Sequence, residues 1–143
     1  MRGIQPIMVD FLVEPKPVLS TGSQDNHPAW VLPEALEHLA QGSDAELVAE
    51  IMDDFRTDVA ARLANLRGAV VRNGAPTIKI EVHSIKGSAA QMGAMELAAA
   101  CLKLEVDARR DSLAFAGPQV DAIQTLFDEV CLAISRHPLC RGK

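Results

Sequence analysis

The chain has no tyrosine and one tryptophan, and its aromatic content is 3% against 48% hydrophobic residues. A core this poor in rings is built from aliphatic side chains and alanine, which suits close-packed helices better than a β-sandwich. A basic surplus is missing as well: 14 Lys and Arg face 19 Asp and Glu, for a net charge of −5. Nucleic acid needs clustered cations and often stacking aromatics, so the composition argues against it, and against anionic membrane surfaces. No apolar run approaches the ~20 residues that cross a bilayer. The N-terminal stretch from Ile7 to Val13 contains Asp10 and is flanked by Pro6, Glu14 and Pro15, which makes a poor signal peptide. The cysteines, Cys101, Cys131 and Cys140, are odd in number and fit no zinc or disulfide spacing. A reducing, cytoplasmic setting is the expectation. There is no Walker-type loop, no kinase-style glycine loop and no acidic triad for magnesium.

At 143 residues the chain fits one domain with a sizeable core. Five of the eight prolines fall in the first 33 residues, and residues 1–29 read as an irregular N-terminal arm. The body spans residues 30–138, followed by a tail at 139–143. Pro33 suits the first turn of a short helix that ends at Gly42. Ser43 and Glu46 form a capping box for a helix reaching about Arg72, with the stripe Leu47, Ile51, Phe55, Val59, Leu63, Leu66, Val70. Asn73-Gly74 ends it. Pro76 opens the next helix, with the stripe Ile78, Val82, Ile85, Ala89, Met92, and Gly93 is a break. A further stripe is Leu97, Cys101, Leu104, Ala108. Gly117-Pro118 opens the last, with Val120, Ile123, Phe127, Val130, Ile134, closed by Pro138. The expected fold is all-α: an antiparallel four-helix bundle with a short additional N-terminal helix and the irregular arm.

On the helix that starts at Pro76, the phase of the stripe turns Lys79, His83, Lys86, Gly87 and Ala90 outward. Lys79, His83 and Lys86 stand at i−4, i and i+3, so they are neighbours. A glycine inside a helix costs roughly 1 kcal/mol relative to alanine, and Gly87 is explained if something must come close to His83. An exposed neutral imidazole is a competent nucleophile near neutral pH, and flanking ammonium groups suit a transferred phosphoryl group. Periodicity alone also allows a solvated histidine between solvated lysines. His27, His38 and His137 show no metal-ligand spacing. Asp53-Asp54 diverge on a helix and read as a solvated face.

Residues 83–105, HSIKGSAAQMGAMELAAACLKLE, resemble the motif of the histidine-containing phosphotransfer (HPt) family. His83, Lys86, Gly87, Ser88, Ala89, Gly93, Ala94, Leu97, Cys101, Leu104 and Glu105 match, with Ile85 where leucine is usual. The resemblance covers roughly residues 31–136. It implies a four-helix bundle with His83 exposed midway along a helix. It also implies phosphorylation at Nε2 by the aspartyl phosphate of a response-regulator receiver domain and onward transfer to another receiver. His83 is then the phosphoacceptor, Lys86 the phosphate-stabilising residue and Gly87 the clearance residue. Lys79 is added by helical spacing alone. The implied protein is a phosphocarrier rather than an enzyme, without a cofactor of its own. Mg²⁺ is expected on the partner receiver, a hybrid histidine kinase is expected upstream, and the chain is expected to be a monomer. The competing reading is a non-transferring helical module that binds or inhibits a receiver or kinase. Ala90 and Glu96 are candidates for the docking surface around His83.

Overall fold

The computed structural model describes residues 30–42 and 44–141. The arm, including His27, and the proposed cap Ser43 lie outside the described residues. Among the described residues six helices follow in order: α1 (Glu34–Gln41), α2 (Ala45–Val71), α3 (Ala75–Gln91), α4 (Met95–Arg109), α5 (Ala116–Ser135) and α6 (Pro138–Arg141). No strand occurs among the described residues. In the bundle α2 packs on α3, α3 on α4, α4 on α5, and α5 back on α2, while α1 leans on α2 and α6 on α2 and α5. The all-α four-helix bundle with a short N-terminal helix is the architecture found.

Helix ends set this topology. After α2, Asn73 takes φ +56°, and after α3, Gly93 takes φ +76°. In both cases the next amide reaches back five residues: Gly74 N–H donates to the Ala69 carbonyl and Ala94 N–H to Ala89, each at 2.8 Å. Asp111 (φ +56°) and the Ser112 N–H bond to Asp107 close α4 in the same way. This is the Schellman closure, which satisfies carbonyls that a helix end leaves open. After α2 and α3 the links are only three residues long and return the chain antiparallel beside itself. The left-handed residue after α2 is therefore Asn73, not its glycine neighbour. Asn tolerates that region because its short amide can bond locally.

The stripes of α3, α4 and α5 are buried as the sequence predicts. That of α2 is not. Val48, Met52 and Ala69 are buried, whereas Leu47 is 47% exposed and Ile51 and Val70 are only half-buried. Each step of four residues advances 400°, so a run of them walks about 40° per step around the helix. Two such steps before Phe55, Leu47 has left the core face. At the amino end of the body, Trp30 is buried and its indole N–H donates to the Met92 carbonyl at 2.7 Å, filling one of the acceptors at the end of α3. His137, half-buried near the end of the body, meets Trp30 edge-on with ring centres 6.3 Å apart. Pro138 follows the end of α5 and opens the single turn α6.

Pro33 lies across the turn between α3 and α4: a Cβ on Gly93 would stand 3.3 Å from Pro33 Cγ. Gly93 is thus demanded twice, by its positive φ and by this close approach. Gly93→Ala should lower stability by roughly 1–2 kcal/mol, read as a lower urea midpoint, and by more than Asn73→Ala at the equivalent turn, which meets the φ penalty without the Pro33 contact. Equal effects at the two turns would contradict the role of the Pro33 contact.

Candidate functional site

His83 is the middle residue of α3, and the turns of Ile78, Val82, Ile85 and Ala89 buried below it fix its outward phase. Its side chain is 64% exposed. Across the groove between α3 and α4 stands Glu105, whose side chain is only 2% exposed. It is the one buried charged residue of the described core. Three donors converge on it. Lys86 Nζ donates to Oε1 at 2.7 Å. His83 Nδ1 lies 2.7 Å from Oε2, and Arg109 Nη2 donates to the same oxygen at 2.8 Å.

An ionised carboxylate offers only acceptors, so the hydrogen in the His83 contact belongs to Nδ1. In the neutral ring the lone pair is then on Nε2, which has no partner among the described residues. A buried carboxylate fixes the tautomer and aims the free nitrogen at solvent. Burial pushes the Glu105 carboxyl pKa up, but hydrogen bonds from Lys86 and His83 and the charges of Lys86 and Arg109 outweigh it, and the net direction is down.

Lys86 is placed at the site as the sequence predicts, though half-buried and tied to Glu105 rather than free beside the imidazole. Gly87 is exposed, and an added Cβ would meet nothing within 4 Å. The approach over this turn is open. Lys79 is exposed on the same helix and makes no hydrogen bond or ion pair among the described residues. Ala90 and Glu96 are exposed. A concave surface opens toward the other neighbour of α3. A groove of about 450 Å³ runs between α1, α2 and α3, lined by Pro33, Leu36, Ile51, Phe55, Ser88 and Met92 together with Asp54 and Asp58. Asp53 pairs with Arg56 on its own helix. Among the described residues no three His, Cys, Asp or Glu side chains converge as a metal would require, and no helix is long and apolar enough to cross a membrane.

Glu105 and Arg109 are the residues to which sequence reasoning gave no role. The signal was present: Glu105 interrupts the buried run Cys101, Leu104, Ala108 on α4, and a buried acid needs partners. Cys101, one turn earlier, is fully buried, and its thiol pKa is pushed up to about 12 by burial and by the charge of Glu105. It packs as a small apolar group.

The lowered Glu105 pKa carries a pH signature. A carboxylate with a depressed folded-state pKa stabilises the fold above its unfolded value of about 4.3 and loses that contribution as pH falls through the lower folded value. Urea midpoints taken from about pH 6 down to about pH 3 should therefore fall more steeply for the native chain than for Glu105→Gln, whose amide does not titrate. Parallel curves would contradict the network.

A family model for the Hpt domain matches residues 50–133, more than half of the chain. Among solved structures the chain is similar to the crystal structure of histidine-containing phosphotransfer protein B (HptB) from Pseudomonas aeruginosa PAO1. Identity is 28% and the TM-score 0.67, over 73% of this chain and 91% of that one. A comparison with curated proteins finds no match. The matched span runs from within α2 to within α5, the helices that build the bundle and carry the buried carboxylate with its three donors, and the chain belongs to the Hpt domain family, serving histidine phosphotransfer in a phosphorelay.

Proposed function

We propose that His83 is the phosphoacceptor, relaying a phosphoryl group between receiver domains. The observation that carries this reading is the exposed imidazole whose Nδ1 is held by a buried carboxylate. Neutral Nε2 attacks the phosphorus of a receiver's aspartyl phosphate as the bond to the aspartyl oxygen breaks, and the electron pair leaves with that carboxylate. The ring gains positive charge and keeps its hydrogen on Nδ1, where Glu105 stabilises it. No proton needs to move. In a transfer of this kind catalysis is positioning and charge stabilisation. Lys86 supplies a cation to the phosphoryl oxygens. Gly87 supplies clearance, and Lys79 a second, more distant positive charge.

The chain acts as a carrier without an ATP site or cofactor of its own, and Mg²⁺ belongs to the receiver. A hybrid histidine kinase stands upstream, and the protein works as a cytoplasmic monomer. Its working unit is the bundle of residues 30–138, to which α6 adds a packed turn, with the arm at 1–29 outside it. The receiver docks over Gly87 and along the groove beside Ser88 and Met92. Its lining joins apolar side chains to Asp54 and Asp58, the mixture a docking surface uses, and it shares α3 with His83.

A phosphorylated receiver should label the native chain with an acid-labile, alkali-stable phosphoryl group, and His83→Gln should take none. A labelled His83→Gln chain overturns the assignment. Gly87 separates shape from folding. Gly87→Ala should raise stability by roughly 0.5–1 kcal/mol, since the glycine sits in a helix with open space above it. Gly87→Leu should keep the fold yet slow transfer by about tenfold or more, as a misplaced reacting centre does. Unchanged transfer in Gly87→Leu would remove the clearance role.

A further inference from the structure

We infer that Arg109 is a positioning residue for the transfer: it holds Glu105 in place when Lys86 leaves that carboxylate for the phosphoryl group. The inference deepens the assignment of His83 as acceptor and rests on it.

The starting observation is a surplus. One carboxylate is served by two permanent cations, Lys86 from α3 and Arg109 from α4, in addition to the imidazole N–H. A structural ion pair needs one cation. The second leaves the site with an uncompensated positive charge, which suits an anion that arrives later. The two cations are also not equivalent. Lys86 holds Oε1 alone, whereas Arg109 holds Oε2, the oxygen that takes the His83 hydrogen bond. Removing Lys86 therefore frees the oxygen that does not orient the ring.

The chemistry then separates their roles. A phosphoryl group on Nε2 sits across the ring from Nδ1, and its oxygens carry more charge than one carboxylate. It draws the ammonium of Lys86, a compact charge on a flexible stem, away from Glu105. Were Lys86 the only permanent cation, a carboxylate that is 2% exposed would be left with the ring as its sole charged partner and with Oε1 unfilled, which is unfavourable. Glu105 would then be held by the ring alone and would orient Nδ1–H less firmly. Arg109 prevents this from the same helix, at i+4 to Glu105. It lies in the last turn of α4, where the helix dipole favours a cation, and its guanidinium stays charged throughout. The other titratable group close by, Cys101, stays a neutral thiol. The step balances as written: Nε2–P forms, the bond from phosphorus to its donor atom breaks with the electron pair going to the donor, and Lys86 exchanges one anion for another.

The test uses the full chain charged with potassium phosphoramidate, which needs no partner protein. Native protein, Arg109→Gln, Arg109→Lys and His83→Gln are compared for the rate of labelling, the lifetime of the label, the melting temperature, and the His83 Nδ1 proton resonance before and after charging. Arg109→Gln should melt close to the native chain and keep the Nδ1 resonance before charging, because Lys86 still holds Glu105. It should label about tenfold more slowly and lose the Nδ1 resonance once charged, and Arg109→Lys should restore most of the rate. Arg109→Gln labelling at the native rate overturns the inference. So does loss of the Nδ1 resonance already in its uncharged form, which makes Arg109 a structural partner only. Failure of the underlying reading looks different: His83→Gln would take the label, or the native chain would take none, and the inference would fall with it.

Discussion

A single buried carboxylate organises this protein's surface chemistry. Glu105 sits inside the bundle wall with almost no access to water, and such a group persists as an anion only if donors surround it. His83, Lys86 and Arg109 are those donors. The need to satisfy one acid thus fixes the orientation of the imidazole, the resting place of the lysine and the register of α3 against α4. An exposed histidine would otherwise sample several rotamers and both tautomers. Here one nitrogen is committed and the other is offered.

The rest of the fold holds α3 and α4 in that register. Their connection is a three-residue turn closed by a left-handed glycine, and Trp30 and Pro33 fold back over it from the start of the body. The Trp30 indole fills a carbonyl at the end of α3, and the ring rests against His137 near the other terminus of the body. The segments flanking the bundle clasp the end of the site helix at the mouth of the groove beside the site.

Much of this was legible in the residues. Regular apolar spacing located the helices, and where the spacing alternated threes and fours, as in α3 and α5, the buried face followed residue by residue. The run of fours at the start of α2 misled, because equal steps of four drift around a helix, and Val48 and Met52 took the places expected of Leu47 and Ile51. The motif around His83 pointed to that histidine, to Lys86 and to the gap at Gly87. It did not reveal that Lys86 is bound to Glu105, since that contact joins residues 19 apart in sequence and depends on how two antiparallel helices are aligned. Arg109 was hidden for the same reason: a basic residue at the end of a helix reads as solvated until the buried acid one turn before it is seen. Trp30 carried no periodic signal at all, because it packs from an irregular segment.

The central claim is that Glu105 holds the hydrogen on Nδ1 and so sends the phosphoryl group to Nε2 of His83. The most direct measurement is nitrogen–phosphorus coupling in the ring-labelled, phosphorylated protein. The account predicts phosphorus bonded to Nε2 with a proton retained on Nδ1. Phosphorus on Nδ1, or an uncharged ring carrying its proton on Nε2, would contradict it.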